Sequence, residues 1–259
     1  KGKVYVGSVC DASSSTKSNL RGYVTAFDGT TFTQVFDFPL TYPKGAVLIN
    51  STPAVVDRVG WYPWTDNFND INSNTTNGAF VRILHPQPML TDIEFDIDGS
   101  MVLGLGDRTG LQSGYNNYPL SGTGVYTGLS GGDILRAAFT NGTYILENDG
   151  KVPGFNGSGV NNNQGPGFGE FYNDDFLGGN GGLTHAEIGF GALALKPGSG
   201  QVIMTAMDPV DQNQTGTNFS GGVRYLSNTT GLSPTGPEMG FVLYNTNNES
   251  GTFGKSTGL

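Results

Sequence analysis

The chain has 259 residues, 42 of them glycine, with only 14% charged residues and a formal net charge of −9. A chain of this length buries a full core without a disulfide framework, and its single cysteine could form no internal one. The acidic surface repels a phosphate backbone, and no apolar window approaches a membrane span, which argues against nucleic-acid binding and against membrane insertion of this segment.

In chain order, Lys3 to Gly7 reads as a first strand, followed by the polar loop DASSSTKSN. Gly22 to Phe27 and Thr31 to Phe36 then form a hairpin across Asp28-Gly29, a strong short-range turn signal. From Leu40 to Asn77 the alternation dissolves into a Pro-, Asp- and Asn-rich connection that holds Trp61 and Trp64. So long a loop implies either an insertion or short hidden strands, such as Ala46 to Ile49. Leu90 to Arg108 is the clearest hairpin: Ile93, Phe95 and Ile97 alternate with Asp92, Glu94, Asp96 and Asp98, and the chain is expected to turn on Asp98-Gly99. A Gly/Tyr/Ser-rich loop follows. Asp133 to Phe139 then pairs with Thr143 to Glu147 across Asn141-Gly142, the signature of a type I′ turn. A polar stretch from Asn148 to Gly182 leads to His185–Leu195, a turn at Pro197 to Gly200, and Gln201 to Met207. Gly222 to Leu226 and Gly240 to Tyr244 are the last strands in this reading.

Two of these segments align in outline. DIEFDIDGSMVLGL matches IGFGALALKPGSGQVIMTAM as an inner strand pair, and GDILRAAFTNGTYILE matches GGVRYLSNTTG…GFVLY as an outer pair. Asp107 and Asp208 each close the second strand of their unit. Recurrence of a four-strand unit predicts an all-β fold: a β-propeller or partial propeller with long irregular loops and almost no helix. The whole of 1–259 is expected to be one such domain, with blade-like units at about 1–79, 80–183 and 184–259. Three units are fewer than a closed propeller needs, and the chain opens on the strand-like KGKVYVGSV without a methionine. It is therefore expected to be a piece of a longer protein.

Eight Asn-x-Ser/Thr triplets occur, at Asn50, Asn74, Asn141, Asn156, Asn213, Asn218, Asn228 and Asn248. About four would arise by chance at this composition, so the excess is roughly twofold. Asn50 is the poorest acceptor because Pro53 follows its threonine. The other seven are the expected glycosylation sites, and they point to an extracellular or cell-surface address. Cys10 reads as a small, partly buried residue beside a strand, or as a partner for a cysteine elsewhere.

PQPMLTDIEFDIDGSMVLGLGDRTG, GDILRA, GGVRYLSNTTG and the final GTFGK-TGL resemble the propeller-type region of large bacterial cell-surface proteins that often carry SdrD B-like repeats. The resemblance spans most of Tyr5 to Leu259. It implies a secreted multidomain protein, adhesive or structural, and supplies no catalytic residues. This chain lacks the flanking repeats and has one cysteine.

The residues that carry chemistry are few. Glu94-x-Asp96-x-Asp98-Gly99 matches the first half of an EF-hand loop, but Leu105 stands where the bidentate Glu belongs. Asp96 and Asp98 therefore leave room only for a looser Ca²⁺ site, set against a solvated hairpin face, and Ca²⁺ is the one cofactor the sequence admits. Asn173-Asp174-Asp175 with Glu170 is a second acidic cluster that could offer oxygens to a hard cation, although loop acids are common without one. His85 and His185 are isolated, and no GxSxG elbow or dinucleotide loop occurs. Trp61, Tyr62 and Trp64 form either a glycan-stacking platform or a packed plug. Asp92, Asp107, Asp133, Glu187 and Asp208 could supply a glycosidase pair or brace the turns. The reading that follows is a non-enzymatic surface or fibre-forming module whose loops serve adhesion or self-assembly with itself, other surface proteins or glycans. The alternative is a carbohydrate-active enzyme or Ca²⁺-dependent lectin on the same scaffold.

Overall fold

A computed structural model describes residues 2–49, 60–71, 73–76, 80–114, 117–118, 124–176, 184–210, 220–234 and 239–245. The fold is all-β. Strands β1 (Val4–Cys10), β2 (Arg21–Phe27) and β3 (Phe32–Pro39) form a first antiparallel sheet in chain order. Then come β4 (Leu48–Ile49), β5 (Ser73–Thr76), β6 (Phe80–Ile83), β7 (Pro88–Phe95) and β8 (Met101–Asp107). The six-residue helix α1 (Arg108–Ser113) is capped by Asp107, whose side chain accepts from the Thr109 N–H. It precedes β9 (Val125–Gly128), β10 (Asp133–Thr140) and β11 (Thr143–Leu146). The small hairpin β12 (Lys151–Val152) and β13 (Phe155–Asn156) leads to β14 (Thr184–His185). Strands β15 (Gly189–Leu195), β16 (Gln201–Met207), β17 (Ser220–Ser227) and β18 (Gly240–Asn245) complete the described chain.

The second sheet is an antiparallel meander ordered β7-β8-β10-β11, and the third is another, β15-β16-β17-β18. The correspondence expected from sequence, an inner pair joined to an outer pair, is thus present in both. Two smaller pairings tie the units together. In one, β4 pairs with β14, linking Leu48 to His185; in the other, β5-β6-β9 forms a sheet in which β6 and β9 run parallel. The Leu40–Asn77 connection therefore holds short strands, including one at Leu48–Ile49.

Turn chemistry fixes the hairpins. Asn141 and Gly142 both take positive φ (52° and 82°), as a type I′ turn requires. The Asp98-Gly99 turn differs from expectation. Phe95 pairs with Met101 and the Asp96 N–H donates to the Ser100 carbonyl, so the loop is three residues, Ile97 to Gly99. Asp98 Oδ1 accepts the Ser100 N–H at 2.9 Å, an Asx contact within this loop.

The second sheet lies between the other two. Alternation sends Met101, Leu103, Leu105, Leu135 and Ala137 into a cluster with Val24, Phe36 and Phe38 of the first sheet. Val102, Ile134 and Ala138 point the other way, to Leu193, Val202, Met204 and Leu226 of the third. With both faces covered, β8 is buried along its whole length. The acidic stripe of β7 does not face water throughout. Ile93 and Phe95 pack toward the first sheet, while Asp92 Oδ2 accepts the Leu193 N–H at 2.8 Å and Asp96 Oδ1 accepts the Gly198 N–H at 2.7 Å. These carboxylates join the second sheet to the third. Cys10 is exposed at the end of β1, not partly buried, because even-numbered β1 residues face outward.

Candidate functional site

A polar cleft of ≈ 560 Å³ opens beside residues 63–70 of the long connection, lined by Asp11, Trp64, Asp66, Asp70, His85 and Arg108 among others. Residues 61–67 adopt no regular strand, and side-chain and main-chain hydrogen bonds hold them in place. Trp64 Nε1 donates to the Pro88 carbonyl at 2.8 Å, and the Trp64 N–H donates to the Asp11 carbonyl at 2.9 Å. Arg108 lies 4.8 Å from the Trp64 ring centroid, donates to Gln87 Oε1 at 2.6 Å, and pairs with Asp66. Thr65 Oγ1 donates to Asp70 Oδ2 at 3.2 Å. The cleft thus combines a clamped aromatic wall with exposed carboxylates, an amide and hydroxyls. Such a surface can bind a polyhydroxylated ligand by stacking and charge-assisted hydrogen bonds.

The three aromatic residues read as either a stacking platform or a packed plug do not share a surface. Trp61 is fully buried in the core of the first and second sheets, its Nε1 donating to Tyr42 Oη at 3.3 Å. Tyr62 is half-buried and stacks on His85, with centroids 4.3 Å apart, while Lys17 sits over its ring at 5.1 Å. Only Trp64 lines the cleft. Spacing in an irregular segment carries no facing information, so the sequence could not separate them.

Asp96 serves the inter-sheet joint, and Asp98 faces Arg136 of its own sheet. Asp96 Oδ2 accepts from Asn228 Nδ2 at 3.0 Å, Asn228 Oδ1 accepts from Tyr172 Oη at 2.9 Å, and Arg136 donates to the Asn228 carbonyl. Arg136 also faces Asp98 at 3.8 Å and lies 5.0 Å from the Phe171 ring centroid. Burial works against the Asp96 charge, but the Gly198 and Ile97 N–H groups, the Asn228 amide and Arg136 hold its carboxyl below the ordinary value. Among the described residues no three His, Cys, Asp or Glu side chains form a metal-ligating group.

This network also corrects one expected glycosylation site. Asn228 is only 3% exposed and its amide nitrogen is committed to Asp96, so a glycan would have to break the joint. Asn141 and Asn156 are exposed, on a hairpin turn and on β13. Asn74 lies on β5, and Asn50, Asn213, Asn218 and Asn248 lie outside the described residues.

The acids considered for catalysis are mostly engaged by backbone. Asp107 is fully buried and accepts from the N–H groups of Gln87 (3.1 Å), Thr109 (3.0 Å) and Gly131 (3.3 Å). Burial still pushes its carboxyl up to about 6, against the lowering effects of the Gln87 N–H and Lys44. Asp208, 1% exposed, accepts the Ser220 N–H at 2.8 Å and its hydroxyl at 3.1 Å. Asp133 accepts from Tyr42 Oη at 2.5 Å. These contacts close strands and seams, and none of the five lines the cleft.

Sequence reasoning missed the buried basic side chains that accompany these acids. Lys44 is 1% exposed and Arg224 fully buried, with Arg224 donating to the Asp175 carbonyl at 2.6 Å. Arg224 left a signal, since a charged residue stands in the middle of the apolar GGVRYLS strand. Lys44, between a proline and a glycine, left none.

Compared with curated proteins, the chain is similar to three proteins of Dictyostelium discoideum. It is 32% identical to Colossin-A over 271 residues, covering 100% of this chain and 2% of that protein. It is 33% identical to Colossin-B over 229 residues, covering 82% of this chain and 5% of that protein. It is 26% identical to Colossin-C over 268 residues, covering 100% of this chain and 23% of that protein. The chain therefore spans between 2% and 23% of the length of these relatives. No family model matches the chain, and no solved structure matches it.

Proposed function

We propose that this domain is a non-enzymatic extracellular module in which consecutive blade-like sheets of a propeller-type scaffold hold polar loops for self-assembly or adhesion. The observation that carries this reading is the contrast between covered and uncovered sheet faces. The second sheet is packed on both sides, whereas the outer faces of its neighbours keep large apolar residues in water. Val4, Val6 and Phe32 are 61%, 45% and 65% exposed on the first sheet, and Phe241 and Leu243 are 60% and 54% exposed on the third. Strand register puts Val4, Phe27 and Phe32 in one row, so these residues form a patch. Exposed apolar patches of this kind mark contact surfaces, and a further sheet stacked as the second sits on the first would cover them. The similarity to short stretches of much longer proteins supports a module within a larger assembly. The excess of Asn-x-Ser/Thr triplets supports the extracellular address.

Sedimentation velocity tests self-assembly. The domain is expected to associate at about 100 μM, and Phe32→Asp with Phe241→Asp is expected to weaken association at least tenfold while leaving the circular dichroism spectrum unchanged. A wild-type domain that stays monomeric throughout ends the self-assembly reading.

The cleft favours a second reading, recognition of a saccharide. Trp64→Ala is expected to remove binding on a glycan array at the cost of only about 1–2 kcal/mol of stability, because the residue is half-buried. An array on which the wild-type domain binds no glycan sinks this second reading.

A further inference from the structure

We propose that the seam where the three large sheets meet is a proton-held latch, in which Asp133, Glu170, Asp174, Asp175 and Glu187 close around Lys44 as neutral acids and loosen the joint when they ionise.

The seam is built from backbone contacts between otherwise separate units. After β3, the Pro43 carbonyl accepts the Gly165 N–H at 2.6 Å, and the Ala46 carbonyl accepts the Glu187 N–H at 3.1 Å. The Gly132 N–H, just before β10, donates to the Gly189 carbonyl at 2.9 Å, and the Ile188 N–H donates to the Asp174 carbonyl at 3.2 Å. Packed into this junction are Asp133 (4% exposed), Glu170 (3%), Asp174 (1%), Glu187 (0%) and Lys44 (1%). Their polar atoms are under-supplied. Both oxygens of Glu187, Asp174 Oδ2 and Lys44 Nζ have no hydrogen-bond partner among the described residues.

The charged groups facing Glu187 can be named element by element. Lys44 comes from the segment after β3, and Glu170, Asp174 and Asp175 come from the loop before β14. Asp133 at the head of β10 couples to Asp174 and Glu170, Glu147 after β11 couples to Glu170 and Asp133, and Arg224 of β17 faces Asp174 and Asp175. Lys44 is shared with Asp107 and Asp133 as well. Two neutral groups complete the ring. Tyr42 Oη donates to Asp133, and Gln164, with its amide nitrogen facing the acids, donates to Glu170 Oε2 (2.9 Å) and Asp175 Oδ2 (3.3 Å).

Two cations cannot balance four buried carboxylates and the half-buried Asp175, and an unbalanced buried charge is met by neutralising the group. A buried carboxyl neutralises by holding a proton. Burial raises Glu187, Asp174 and Glu170 first, and the neighbouring carboxylates raise them further. An acid raised in the folded state binds more protons there than in the unfolded chain. Its contribution to stability is therefore full below the ordinary carboxylate range and is lost as pH rises through the raised value.

The test is the melting temperature of the domain from pH 5 to pH 8.5. The wild-type value is expected to fall by roughly 10 °C. Glu187→Gln and Asp174→Asn are each expected to flatten that fall and to melt above wild type at pH 8. Carbon-13 NMR of the wild-type side-chain carboxyls provides a readout even if a variant fails to fold, and at least two are expected to titrate above pH 6. A wild-type melting temperature that is flat or rises over this range overturns the latch, as does a full set of carboxyls titrating near pH 4. Recovery of the pH 5 melting temperature at pH 8 by millimolar Ca²⁺ also overturns it, by making the seam a cation site.

Discussion

Replacing Gly191 with alanine is expected to cost about 4 kcal/mol or more, because two sheets meet there backbone to backbone. A Cβ at Gly191 would lie 2.3 Å from Thr91 Oγ1, 2.5 Å from the Gly106 nitrogen and 2.7 Å from the Leu105 carbonyl carbon. Two of those three atoms belong to the β8 main chain, which cannot swing away as a side-chain tip can. The residue also holds φ at +88°, where an L side chain is strained. The partner glycine responds alike: a Cβ at Gly104 would sit 2.1 Å from the Gly191 carbonyl oxygen. Gly200→Ala separates strain from contact, since Gly200 has φ of +77° and a Cβ there would meet nothing within 4 Å. That control is expected to cost about 1 kcal/mol. Urea unfolding of the two variants decides the matter, and equal losses would mean that the second and third sheets do not touch at their main chains.

Trp61→Ala comes next, at about 3–5 kcal/mol, or a fall in melting temperature of roughly 10–15 °C. The indole is completely buried beside Tyr42 and the leucines of β8. Its loss opens a cavity, removes the donor to Tyr42 Oη, and strips the ring that lies 5.1 Å from Lys44 Nζ. Tyr42 in turn holds Asp133, so the damage reaches the acidic seam. Trp61→Phe keeps most of the volume and is expected to cost about half as much. The contrast with Trp64 is the informative measurement. If Trp61→Ala melted close to wild type and Trp64→Ala unfolded the domain, the assignment of one to the core and the other to the cleft would be reversed.

Three sheets stacked in succession, with the middle one enclosed, require the tight Gly104–Gly191 approach on one side and the Trp61 cluster on the other. The same arrangement accounts for the acids of β7. Their alternation with Ile93 and Phe95 looks like a solvent face because a one-sided sheet would leave them in water. In a sheet covered on both sides, Asp92 and Asp96 instead find N–H groups of the next sheet.

Local chemistry in the chain determined the strands, the hairpins and their grouping. Asn141-Gly142 selects its turn because few residues tolerate positive φ, and the period-two patterns of β2 and β7 announce which residues share a face. The all-β class and the match between the two four-stranded meanders follow from those signals. Tertiary structure alone decided what each face meets. It buried Trp61 while leaving Trp64 at a cleft, withdrew Asn228 from solvent, and gathered Lys44, Asp133, Asp174 and Glu187 into one junction. The physical reason is range: turn and strand preferences act over a few residues, whereas burial and charge balance depend on contacts between segments far apart in the chain.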